Sequence, residues 1–185
     1  MPGKNIIKVY KKNSYYHVYN RGVEKRDVFL DMEDYDRFLR FMRDSGIKKG
    51  VDFLCYCLMP NHFHFLIHQR GRRDIEKLMR SLMTKYSLYF NNKYDRVGKL
   101  FQGIYRARVI KSDEDLINVS AYIHNNYRKE HPRMLPENYR YSSFPLYLEE
   151  NYEGWVKVGT VKSYFSVNSY RKFADTKLNK RVDLG

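Results

Sequence analysis

Cysteine is scarce: Cys55 and Cys57 are the only two, and they lie two positions apart. That excludes the disulfide framework of a small secreted domain and leaves core packing as their ordinary use. No apolar run reaches the ~18 residues of a membrane-spanning helix, and the opening Met-Pro-Gly-Lys-Asn carries no signal-peptide pattern. A cytoplasmic protein without a membrane partner is expected. Internal repeats and low-complexity segments are also missing. Acid is short as well, with 21 Asp and Glu against 35 Lys and Arg, a formal net charge of +14 and a pI of about 9.7. Such a balance points to a polyanionic partner. The chain is long enough, at 185 residues with 43% hydrophobic content, to bury a full core. Its eighteen tyrosines fit a compositional bias shared with Lys, Asn and Ile, so their number alone says nothing about stacking on bases.

Against this background one stretch stands out, Pro60-Asn61-His62-Phe63-His64. The segments on either side, from Val51 to Met59 and from His62 to Ile67, are apolar, aromatic and β-branched, and Pro60-Asn61 breaks them as a hairpin turn would. In a strand, residues two apart share a face, so His62 and His64 project together while Phe63 and Phe65 point into a core. Two imidazoles so placed can hold one divalent ion.

The other elements follow in order. Tyr15 to Asn20 reads as a short strand. From Asp31 or Asp34 to about Arg43, the residues Tyr35, Phe38, Leu39 and Met42 recur at helical spacing, and Gly46 reads as the stop. After the hairpin, Asp74 caps a long amphipathic helix that Asn91-Asn92 ends, and its Met and Tyr stripe is core. Leu100 to Ile110 reads as a strand, and Ser112 with Asp113, Glu114 and Asp115 opens a third helix. Strand, helix, strand, strand, helix, strand is the split pattern of an α+β, ferredoxin-like fold with a four-stranded antiparallel sheet, here followed by one more helix. Residues 1–150 are expected to form this domain. Residues 151–185 lack a clear period and read as a basic appendage of weak or conditional structure.

In the third helix Leu116, Val119, Ile123 and Tyr127 form a buried stripe, with Asn118, Tyr122 and Asn126 four apart beside it. Tyr122 and Asn126 therefore share a face, one offering a hydroxyl and the other an amide oxygen suited to a hard metal. Basic residues gather just upstream, with eleven Lys or Arg against three acids between Arg72 and Lys111. Arg106 and Arg108 share a strand face and are candidates for phosphate contacts. Arg72 and Arg73 stand where a cation opposes the helix dipole, which points to binding more than stability. His17 reads as a partly buried polar side chain before a second-sphere or DNA contact, and His124 lies on a different helix face from Tyr122.

Five blocks in this order resemble the single-tyrosine HUH transposases, and within them the REP-associated tyrosine transposases. They are Tyr16 to Gly22, Leu58 to His64, Leu100 to Tyr105, Tyr122-Ile123-His124-Asn125-Asn126 and Tyr141-Ser142-Ser143-Phe144, spread over Tyr15 to Leu148. The resemblance implies an enzyme that cuts and rejoins single-stranded DNA carrying hairpin or palindromic elements, as a monomer or homodimer. Tyr122 matches the nucleophile that forms a 5′-phosphotyrosine link, His62 and His64 match the metal pair, and Asn126 matches the third ligand position. Mn2+ suits two imidazoles better, while Mg2+ is the more abundant ion. One departure is Tyr127 where the family often has proline, which lets the helix run on past Asn126. A rival reading from another class is a zinc-stabilised nucleic-acid-binding module with no catalysis. A two-residue Pro60-Asn61 turn would pair Cys57 with His64 on one face, although Cys-x-Cys on a strand spaces its thiols poorly for tetrahedral zinc.

Overall fold

The computed structural model describes residues 10–166 and 169–177. Strand β1 (Ser14–Arg21) leads to helix α1 (Met32–Lys49), hairpin strands β2 (Val51–Met59) and β3 (His62–Gln69), helix α2 (Asp74–Lys93), strand β4 (Arg106–Val109) and helix α3 (Asp113–Asn125). The strands form one antiparallel sheet in the order β2-β3-β1-β4. This is the ferredoxin-like arrangement expected from the element order.

Alternation along the strands divides the chemistry between two faces. Phe63 and Phe65, both fully buried, meet Phe38 of α1 on one face. His17, His62 and His64 point to the other, where α3 lies with Tyr122 against them. Deep burial of Phe38, Phe63, Phe65 and Tyr86 anchors the first layer, each aromatic contributing about 2–3 kcal/mol of transfer free energy.

Several boundaries differ from the sequence reading, for local reasons. Gly46 sits inside α1, where a Cβ would come within 2.8 Å of the Phe53 ring; close packing requires glycine there, and the helix stops at Gly50 in the left-handed conformation (φ 68°). Asp31 is the N-cap of α1, accepting the Asp34 N–H. Asp74 is the first residue of α2, and its carboxylate accepts the Gly71 N–H from the preceding turn. Asn91-Asn92 does not end α2, which continues to Lys93, whose ammonium binds Asp31 and Asp34 of α1 at 2.8–3.0 Å. The strand expected over Leu100 to Ile110 shortens to β4, because Gly103 adopts a positive φ of 61° and Phe101 turns to bridge Gly22. Helix α3 keeps its Ser112 cap, the hydroxyl accepting the Asp115 N–H. It does not run on past Asn126: the chain tightens there into a 3-10 turn, Asn126–Lys129.

The segment read as an appendage packs, in its described part, onto the sheet and α3. Val156, Val161, Tyr170 and Ala174 are buried, and the segment contributes helices α5 (Gly159–Lys162) and α6 (Ser169–Thr176) after the short α4 (Phe144–Leu148). Chain from 139 onward also covers the free edge of β2. Leu58 N–H donates to Tyr141 O, Ser143 N–H to Tyr56 O and Lys157 N–H to Phe53 O, so the edge offers no open ladder to another strand. His124 ties these parts together, with Nδ1 2.6 Å from the Tyr170 hydroxyl and Nε2 2.8 Å from Ser143 Oγ. Among the described residues no helix is long and apolar enough to cross a membrane.

Candidate active site

Register builds the site. His62 pairs with Arg21 and Met59, and His64 with Tyr19 and Cys57, while Arg106 stands opposite Tyr19 on the other side of β1. Partners directly opposite share a face, so two histidines, Tyr19 and Arg106 form one patch at one end of the sheet. The His62 and His64 rings are 5.3 Å apart and nearly perpendicular. Tyr122 from α3 meets His64 edge-on at 5.7 Å and His17 at 5.9 Å, and Tyr19 stacks on both histidines of the inner pair.

Hydrogen bonds occupy the Nδ1 atoms of His62 and His64. His64 Nδ1 lies 2.8 Å from His17 Nε2, and His62 Nδ1 lies 2.5 Å from Asn61 Oδ1. With Nδ1 as donor in each case, both Nε2 atoms keep their lone pairs. Burial lowers the pKa of His17 to about 3 and of His62 to about 4, and holds His64 well below the usual range, so the imidazoles are neutral. Asn126, one helical turn beyond Tyr122, donates from Nδ2 to the Tyr122 carbonyl and thereby presents Oδ1. Two neutral imidazoles and an amide oxygen fit a divalent ion such as Mn2+ or Mg2+. His17 belongs to this site as the residue that orients His64, a role its position in the sequence left open. Among the described residues no three His, Cys, Asp or Glu side chains converge on one point.

The zinc-module reading required Cys57 opposite His64, and the register supplies that pairing. The thiol itself is unsuited. It is fully buried, burial pushes it up to about 12, and it donates toward Met59 Sδ, whereas zinc needs a thiolate.

Of the four arginines expected at DNA, the structure leaves Arg106 exposed at the site and commits two others elsewhere. Arg108 forms a bidentate pair with Asp115 at 2.8 and 2.9 Å, and Arg73 pairs with Glu76. Arg72 and Arg73 follow Gln69, the far end of β3 from His62, roughly 20 Å away at the rise of a strand. Sequence reasoning missed Arg21, exposed beside His62 and bonded to Gln102 at 2.5 Å, and Lys129, which touches Asn126. Only the cross-strand register could have found Arg21. We expect Arg106→Ala to lower the slope of log K against log salt for single-stranded DNA by about 0.7. Arg108→Ala should leave that slope alone and destabilise the fold by about 1–3 kcal/mol through the stranded Asp115. Filter binding across a salt series together with thermal melts checks both, and a changed slope for Arg108→Ala would contradict the assignment.

The depressed histidines set a pH dependence. Below about pH 6.5 the unfolded chain binds protons that the folded chain refuses, so stability is full above that pH and falls as pH drops toward 4 for His62 and toward 3 for His17 and His124. Each contributes a slope of up to about 1.4 kcal/mol per pH unit. Thermal melts between pH 7 and 4 should show a steady decline; a flat profile would mean the imidazoles are not held neutral.

The ferredoxin-like sheet carries the histidine pair on one face, and the crossing helix lays Tyr122 against His64 and His17. The chain belongs to the family of IS200-like transposases, whose sequence profile matches residues 10–126. Its fold is similar to that of the REP-associated tyrosine transposase solved bound to a REP hairpin, with a TM-score of 0.66 at 15% identity over 83% of this chain and 90% of that one. A protein from Deinococcus radiodurans described as a transposase aligns over 64% of this chain and 94% of its own, at 18% identity and a TM-score of 0.46. No curated protein matches the chain.

Proposed function

We propose that this chain is a metal-dependent enzyme that nicks and rejoins single-stranded DNA through a 5′-phosphotyrosine intermediate, with hairpin elements as its recognition feature. The observation that carries the reading is the placement of Tyr122 edge-on to His64, with Asn126 one turn further along the same helix face. In the reaction the Tyr122 oxygen bonds to the scissile phosphorus as the bond from phosphorus to the 3′-oxygen breaks. The phenol proton leaves to solvent and the departing oxygen takes one up as a free 3′-hydroxyl. One phosphodiester replaces another, so attack by a 3′-hydroxyl on the tyrosyl phosphate reverses the step and joins strands.

Burial raises the Tyr122 phenol above its ordinary value, with the neighbouring Asn126 side chain opposing the rise. The free protein therefore holds a neutral phenol, and activation awaits the bound phosphate. A divalent ion on His62, His64 and Asn126 would polarise a non-bridging phosphate oxygen. Arg21, opposite His62, and Arg106, opposite Tyr19, are both exposed and would grip the phosphates along the strand.

In-line attack requires the backbone to turn its phosphate toward a tyrosine set against a sheet, a freedom single strands have. The REP hairpin held by the relative of shared fold supports a hairpin beside the cut. Incubated with Mn2+ and a labelled hairpin oligonucleotide bearing a single-stranded flank, the protein is expected to form a covalent adduct on denaturing gels. The same sequence as full duplex should give none, and equal attachment to both would overturn the reading.

A further inference from the structure

Lys129 closes the 3-10 turn that follows α3. Residues three apart eclipse in such a turn, which stands Lys129 over Asn126. Its ammonium lies 3.3 Å from Asn126 Oδ1 and 5.8 Å from the centre of the Tyr122 ring. Asn126 is buried and its amide is oriented from the other end by the Tyr122 carbonyl, whereas Lys129 is exposed. A buried amide oxygen requires a donor, and an ammonium offers three with no acceptor of its own. A monovalent cation thus already covers the oxygen assigned to the divalent one, and like charges cannot share it.

Resting on the nuclease reading above, we infer that Lys129 is a placeholder cation that yields Asn126 Oδ1 to the divalent ion and moves to a non-bridging oxygen of the phosphate under attack. Three features support the transfer. The lysine stem is long, flexible and solvent-exposed, so its rotation is fast and costs little. Its release point adjoins the attacking tyrosine. The displaced ammonium lacks a partner until a phosphate arrives, and that phosphate gains negative charge on its outer oxygens as the reaction proceeds. Metal and DNA are consequently coupled: each supplies what the other's arrival demands, and each tightens the other's binding by the same factor.

The test uses the full chain, the Tyr122→Phe background to prevent cutting, and Mn2+ with a hairpin oligonucleotide as probes. By titration calorimetry, Lys129→Gln should bind Mn2+ about tenfold more tightly than its parent without DNA. Oligonucleotide should tighten Mn2+ about tenfold in the parent and leave the variant unchanged. With Tyr122 restored and Mn2+ saturating, Lys129→Gln should slow adduct formation about 100-fold with little change in KM for the oligonucleotide. Thermal melts establish that the exposed substitution leaves the fold intact. Equal Mn2+ affinity in parent and variant overturns the placeholder, and an unchanged rate at saturating Mn2+ overturns the phosphate contact. A parent whose Mn2+ binding is absent or indifferent to His62→Ala sinks the nuclease reading itself, and this inference with it. A His62-dependent site indifferent to Lys129→Gln sinks this inference alone.

Discussion

Tyr122→Phe is expected to abolish covalent attachment and strand cleavage, a fall of at least about 10³-fold in rate, while binding and stability stay near those of the parent. The substitution removes one oxygen from a half-buried ring whose packing against His64 and His17 survives. Stability should therefore change by less than about 1 kcal/mol. Among the described residues Tyr19 is the other tyrosine in contact with His17 and His64, and it is stacked on both imidazoles. Adduct on denaturing gels, DNA affinity and thermal melts read the three quantities apart. Persistent adduct would remove Tyr122 from the role of nucleophile.

His62→Ala and His64→Ala should both eliminate cleavage, yet differ in what they do to the fold. Loss of a hydrogen-bonding partner behind a ligand typically weakens metal binding by about 10–100-fold, so loss of a ligand should cost at least about 100-fold. His62 is only partly buried and its Nδ1 partner is the adjacent Asn61, so its removal should be close to neutral for stability. His64 is 5% exposed and is the partner of His17. Its removal opens a cavity and strands His17 Nε2, at a cost of about 2–4 kcal/mol. His17→Phe, which keeps the ring volume but drops the acceptor, should weaken Mn2+ by about 10–100-fold with both ligands intact. Calorimetric Mn2+ titration alongside denaturant melts decides the matter. If His62→Ala binds Mn2+ as the parent does, the histidine pair is not the metal site.

What was legible in the sequence was the chemistry carried by local periodicity. The spacing of His62 and His64 on a strand, and of Tyr122 and Asn126 on a helix, fixes shared faces without knowledge of the partner element. Each pair emerges where it was expected. Cross-strand and interlayer relations were not legible. Asp115 reads as an acid placed for the dipole of α3, and only the fold reveals that it also holds Arg108 in a bidentate pair. Arg72 and Arg73 sit in the right charge run and at the far end of the sheet. Lys129 is close to Asn126 in sequence, but its approach to the amide depends on a helix tightening at its last turn, which Tyr127 in place of proline gave no reason to expect. The tail after residue 150 buries single residues from very short helices, such as Val161 and Tyr170. Such isolated contacts leave no period to read.

The tie between His124 and Tyr170 spans 46 positions of chain, and that between Ser120 and Tyr170 spans 50. Such distant pairings form late, because the intervening loop must close before they reward it. During synthesis the helix bearing Tyr122 leaves the ribosome well before the helix that latches it. A half-made chain therefore carries the helix of Tyr122 unlatched, and the hydrogen bonds that hold that helix in place arrive only with α6.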